Sequence, residues 1–142
     1  VFTQNQDFFN RIERQFNINE INDLSPFGIA ATVAAYNECD DWIVELNDYI
    51  KDNYKLLVKF FKENYPEVHV ASLESTYLAW VDCSCFNMSG RKIKNTLLKK
   101  GKLYVNDGEM YMSPYPSFLR INLGCPRAYL EEALKRFKKA LG

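Results

Sequence analysis

At 142 residues, with 47% hydrophobic and 25% charged side chains, the chain has the make-up of one ordinary domain, or of a small domain plus part of another. Eighteen basic residues balance eighteen acidic ones, so no net field draws it toward nucleic acid or an anionic membrane. No apolar run approaches the roughly 20 residues of a membrane span, and the polar opening Val1 to Asp7 lacks a signal-peptide core, so a soluble, cytoplasmic chain is expected.

The chain starts at Val1 rather than Met and enters a helical pattern almost at once, as a fragment would. Phe8, Phe9, Ile12 and Phe16 recur at helical spacing from Asp7 onward, and the polar run from Asn17 to Leu24 reads as a loop. Ser25-Pro26 has the form of an N-cap followed by a first-turn proline. The helix it opens is apolar on nearly every side through Tyr36 and needs more cover than the remaining chain looks able to supply. From Asp40 to Tyr65 an amphipathic helix is predicted, with Trp42, Leu46, Ile50, Leu57 and Phe61 as its apolar stripe and charges running from acid to base along its length, as the helix dipole favours.

Beyond Pro66, Val68 to Ser72 and Tyr77 to Cys83 read as two strands of a hairpin. Ser89 is placed to cap a helix that carries Ile93 and Leu97 and stops at Gly101, with a short strand Leu103-Tyr104-Val105 leading into Asn106-Asp107-Gly108. After a tyrosine-rich loop comes the strand Phe118 to Leu123, and Pro126 opens a final helix with Leu130, Ala133, Leu134, Phe137 and Leu141 inward. Helix, strand, strand, helix, strand, strand, helix from residue 40 predicts an α+β fold, helices covering one face of a largely antiparallel sheet.

The chemistry centres on Arg120. Alternation puts Leu119, Ile121 and Leu123 on one face of its strand and Phe118, Arg120 and Asn122 on the other. A guanidinium among apolar neighbours is costly unless an anion meets it, and its planar fork suits a carboxylate or phosphate. Two readings stand: Arg120 anchors a ligand carboxylate, or it pairs with Asp82, Asp107 or Glu109. Asn106-Asp107-Gly108 is either a ligand-contacting loop or, as sequence favours, a turn needing positive φ. The sole histidine, His69, has no acid or cysteine pattern beside it, and Cys39, Cys83, Cys85 and Cys125 fit no metal-binding spacing, which points to reduced structural thiols. Cys125, just before a helix, could carry a lowered pKa or be buried. The lysines fall on polar helical faces or in the Lys99 to Lys102 turn, none resembling a desolvated Schiff-base lysine, and no glycine-rich phosphate loop is present.

Four segments in this order, SPFGIAATVAAYNECDDW (25–42), ESTYLAWVD (74–82), VNDG (105–108) and FLRINLGCPR (118–127), together resemble the C-terminal part of fold-type I pyridoxal-phosphate enzymes. The likeness is to the cystathionine β-lyase (C–S lyase, MalY/PatB) branch of the class I/II aminotransferase superfamily. It implies that residues 1–37 end the large cofactor-binding domain, that the long helix links two domains, and that 38–142 form the small domain, with a mostly antiparallel four-stranded sheet and helices on one face. It implies further that the Schiff-base lysine, the phosphate-binding loop and the ring-holding residues of pyridoxal 5'-phosphate lie upstream. No catalytic, cofactor-binding or metal residue is then expected in this chain, and Arg120 matches the arginine that binds the substrate α-carboxylate.

The resemblance thus implies an amino-acid substrate, a C–S β-lyase or alternatively an aminotransferase, a homodimeric full-length enzyme, and an isolated chain without activity. The competing class is a stand-alone α+β amino-acid-binding regulatory module. Cys39 stands where the family usually has glycine, and Tyr111-Met112 where Phe-Gly commonly follows the Asn-Asp-Gly segment. The second departure lies near the active-site mouth and bears on substrate preference.

Overall fold

The computed structural model describes residues 3–18, 25–111 and 116–142. The chain divides into two compact units, Val1–Ile43 and Val44–Gly142. In the first, α1 spans Gln6–Ile18 and α2 spans Pro26–Glu38, and neither has a buried residue. Ser25 caps α2 as its sequence position predicts, its Oγ accepting the Gly28 N–H at 3.0 Å. Phe27 is 87% exposed and Tyr36 82%. Most of the predicted 17–24 loop lies outside the described residues, and Asn17 and Ile18 complete α1 instead.

The long helix α3, Asp40–Asn64, matches its predicted span. Its buried positions are Ile50, Asn53, Leu57 and Phe61, whereas Trp42 is exposed, so the stripe turns inward only from the middle of the helix. The second unit holds a four-stranded sheet in the order β1-β2-β4-β3, from β1 (His69–Val70), β2 (Leu78–Asp82), β3 (Asn106–Asp107) and β4 (Phe118–Asn122), with every neighbouring pair antiparallel. Helices α4 (Gly90–Thr96) and α5 (Arg127–Leu141) join α3 on one face. Leu57 and Phe61, Ala79 and Val81, Ile93 and Leu97, Leu119, and Leu130 and Phe137 close a single core, in which the Phe61 and Phe137 rings meet edge to face at 5.2 Å. Among the described residues no helix is long and apolar enough to cross a membrane.

Two local expectations are corrected. Leu103 to Val105 is not a strand; pairing begins at Asn106 and Asp107, which oppose Arg120 and Leu119 on β4. Asn106-Asp107-Gly108 is therefore not a positive-φ turn, and Gly108 starts a 3-10 turn that runs to Tyr111. The Leu103 N–H is already spent on the Leu97 carbonyl at 3.1 Å, which holds that stretch against the end of the preceding helix rather than in the sheet. The helix opened by Ser89 stops at Gly101 as expected: α4 passes into a wider π-turn, Leu97–Gly101, and Lys102 after it takes the left-handed conformation, with φ 52°. Glycine is required at 101 because an added Cβ would lie 2.9 Å from the Arg136 carbonyl oxygen of α5. On α5 the i,i+4 pair Glu132 and Arg136 meets at 2.8 Å, and the equally spaced Glu131 and Lys135 form no pair within 4.0 Å.

Candidate functional site

The face of the sheet away from the helices carries the candidate site. Antiparallel register sets Trp80 of β2 and Asn106 of β3 directly opposite Arg120 on β4, so the three side chains cross the sheet in one row. The 3-10 turn after β3 brings Tyr111 back over that row. The Arg120 Cζ stands over the Tyr111 ring at 4.6 Å from its centroid, and Trp80 meets the same ring edge-on at 5.7 Å. The Asn106 Nδ2 donates to the Tyr111 hydroxyl at 3.0 Å. Phe118 extends the aromatic surface, 6.3 Å from Trp80.

Each of the three acids that could have tied Arg120 down is engaged elsewhere. Asp107 points to the opposite face of β3 and receives Lys94 Nζ at 2.8 Å; Glu109 pairs with Arg91 at 3.0 Å; Asp82 accepts the backbone N–H of Ser84 at 2.9 Å. Among the described residues no carboxylate comes within ion-pair distance of the Arg120 guanidinium, although the residue is half-buried. Beside it a cleft of about 270 Å³ opens between β3, β4 and α5, with Asn106, Arg120, Asn122 and Tyr129 among its lining residues. A half-buried cation with an aromatic backing and, among the described residues, no carboxylate beside it has the donors and the charge to meet a carboxylate or similar anion.

The strand that carries Arg120 is fixed at its end by a residue with no charge. Asn53, buried among the apolar positions of α3, donates through Nδ2 to the carbonyls of Leu123 and Cys125, each at 3.0 Å. The Asn122 Oδ1 accepts the Gly124 N–H at 2.8 Å, and the Tyr49 hydroxyl accepts the Arg127 N–H at 2.7 Å. The turn from β4 into α5 is thus pinned from both sides. Asn53 escaped the sequence analysis although it shares the helical spacing of Ile50, Leu57 and Phe61, a polar residue on an apolar stripe being the available signal.

The pair of half-buried Lys94 and buried Asp107 stabilises the β3 edge. The hydrogen bond from Lys94 depresses the Asp107 pKa, and the same contact raises that of Lys94. Its contribution is therefore present between the two ordinary ranges, lost as pH falls through the depressed Asp107 value and lost as pH rises through the raised Lys94 value. Urea unfolding between about pH 5 and pH 3 should show a steeper loss of stability in the wild type than in Asp107→Asn; parallel curves would contradict the assignment. Lys94 is also the one lysine not fully on an exposed face.

All four cysteines are free thiols. Burial pushes the Cys83 thiol up to about 12, and partial burial also raises that of the half-buried Cys125, the direction of a structural rather than an activated thiol. Met112 of the Tyr111-Met112 departure lies outside the described residues. No cluster of three or more metal-ligating side chains occurs among the described residues.

Residues 6–137 match the family model described as aminotransferase class I and II. The chain is 33% identical over 123 residues to cystathionine beta-lyase PatB of Bacillus subtilis strain 168, covering 87% of this chain and 32% of that protein. It is 31% identical over 110 residues to protein MalY of Escherichia coli K12, covering 78% of this chain and 28% of the relative. Among solved structures, a pyridoxal-phosphate-bound putative aminotransferase from Clostridium difficile 630 superposes with a TM-score of 0.87 at 33% identity, over 100% of this chain and 37% of that one. Cystalysin from Treponema denticola, which contains pyridoxal 5'-phosphate, superposes with a TM-score of 0.81 at 26% identity, over 99% and 36%. The chain spans about a third of the length of the relatives it matches.

Proposed function

Because this chain belongs to the class I and II aminotransferase family, we propose that it forms the small C-terminal domain of a pyridoxal-phosphate C–S β-lyase of the cystathionine β-lyase type, in which Arg120 binds the substrate α-carboxylate. Residues 1–37 then belong to the large cofactor-binding domain and 38–142 to the small one. The observation that carries the reading is the half-buried Arg120 guanidinium, backed by Tyr111 and left without an acid among the described residues.

The described residues do not fit the cofactor itself. The lysines are solvent-exposed apart from Lys94, whose Nζ is occupied by Asp107, and none forms the desolvated amine that a Schiff base needs. Holding pyridoxal phosphate accordingly falls to the part of the relatives that this chain does not span, and the isolated chain is inactive. What this chain supplies is orientation. A two-point contact between Arg120 and a carboxylate removes the rotational freedom of an amino acid about its α-carbon, which is how a group remote from the bond being broken contributes to rate.

The resemblance to the putative aminotransferase from Clostridium difficile supports a second reading, an aminotransferase acting on amino acids. Products separate the two. The full-length protein incubated with pyridoxal phosphate and L-cystathionine should release free thiol and pyruvate in equal amounts together with ammonia, with no added oxo acid required. Glutamate formed from 2-oxoglutarate without free thiol would establish the aminotransferase instead.

A further inference from the structure

Tyr111 is placed to do more than line the mouth of the site. Its ring backs the Arg120 guanidinium at 4.6 Å, its hydroxyl accepts from Asn106 at 3.0 Å, and the Trp80 ring closes on its face or edge at 5.7 Å with an interplanar angle of 84°. Two of those partners, Trp80 and Asn106, are the cross-strand neighbours of Arg120 itself. The arrangement is closed: the strands that flank the arginine hold the ring that holds the arginine.

We infer that Tyr111 is a positioning residue for Arg120, setting the direction in which the guanidinium presents its donors and so the affinity for the α-carboxylate. An arginine on a strand has several rotatable bonds and loses much side-chain entropy when a ligand fixes it. A ring that already attracts the cation removes part of that cost before the ligand arrives. The ring face supplies the attraction, and the Asn106 hydrogen bond sets where the ring stands. Tyr111 is 38% exposed and absent from the core, so its replacement tests positioning rather than folding.

Two readouts test this. In the 142-residue chain, nuclear magnetic resonance should find the Arg120 side-chain protons shifted upfield by the Tyr111 ring current, retained in Tyr111→Phe and abolished in Tyr111→Leu; a shift that survives Tyr111→Leu would overturn the stack. In the full-length protein, Tyr111→Leu should raise KM for L-cystathionine about 3- to 30-fold with little change in kcat, the range expected of a cation over a ring. Tyr111→Phe should recover most of that affinity. Equal KM values for the Leu and Phe variants would reduce Tyr111 to packing and overturn the inference.

The kinetic arm rests on the carboxylate reading of Arg120, and the two can fail separately. A raised KM in Arg120→Ala with none in Tyr111→Leu would overturn positioning alone. An unchanged KM in both would remove the carboxylate reading and positioning together, whatever the resonance spectrum shows.

Discussion

Arg120→Ala in the full-length protein is expected to lower kcat/KM for L-cystathionine by about 10²- to 10³-fold, most of it in KM, because a carboxylate loses two charge-assisted hydrogen bonds together worth about 3–4 kcal/mol. The size of the effect follows from the surroundings. The Tyr111 ring backs the guanidinium on one side, with Trp80 edge-on against that ring, and Asp82, Asp107 and Glu109 are spent on Ser84, Lys94 and Arg91. Among the described residues no carboxylate competes with a ligand for the charge. Arg120→Lys should recover only part of the loss, since an ammonium keeps the charge but not the fork. Neither variant should cost the fold much, because the side chain satisfies no buried partner besides the Tyr111 ring. A kcat/KM within threefold of wild type in Arg120→Ala would remove the assignment.

Asn53→Leu carries the largest expected effect on stability, a loss of about 2–4 kcal/mol in urea unfolding of the chain. Leucine has the branched heavy-atom skeleton of asparagine and suits the apolar stripe, so hydrophobic burial is not what is lost. The substitution strands the carbonyls of Leu123 and Cys125 where the Asn53 side chain is completely buried, and removes the acceptor that faces Arg127 Nε at 3.4 Å. Leaving two buried acceptors unpaired costs more than a leucine in the same space gains. A loss below about 1 kcal/mol would mean that the turn from β4 into α5 is secured without it.

The α+β layer was legible because each of its signals is local. Alternation around Arg120 marked β4 and its two faces, the 3.6-residue stripe marked α3, and Ser25 and Ser89 marked helix starts; Ser89 does accept the Lys92 N–H at 3.3 Å. The misreadings came where tertiary pairing overrode turn chemistry. Asn106-Asp107-Gly108 has the composition of a tight turn, yet Asn106 and Asp107 find partners on β4, a pairing set by residues more than ten positions away. Gly101 marked the end of its helix, but neither the Arg136 carbonyl of α5 that presses on it and requires glycine there nor the left-handed conformation of Lys102 was legible.

At the site, Arg120 stood out as a charge inside an apolar strand. Its frame did not. That Trp80 opposes it depends on the register of β2 against β4, and that Tyr111 covers it depends on a 3-10 turn where a positive-φ turn and a loop were expected. Tyr111 entered the sequence analysis only as a departure from Phe-Gly. The hydroxyl that distinguishes tyrosine from phenylalanine is the atom that Asn106 holds.

The most direct test of the account compares an amino-acid ligand with its α-carboxamide. Dissociation constants for the two are measured in the wild-type full-length protein and in Arg120→Ala. Wild type should prefer the acid by about 10²-fold or more, and the variant should bind acid and amide within a few-fold of one another, because the guanidinium that tells them apart has been removed. An acid-over-amide preference of equal size in both proteins would contradict the account and place the carboxylate contact on some other residue.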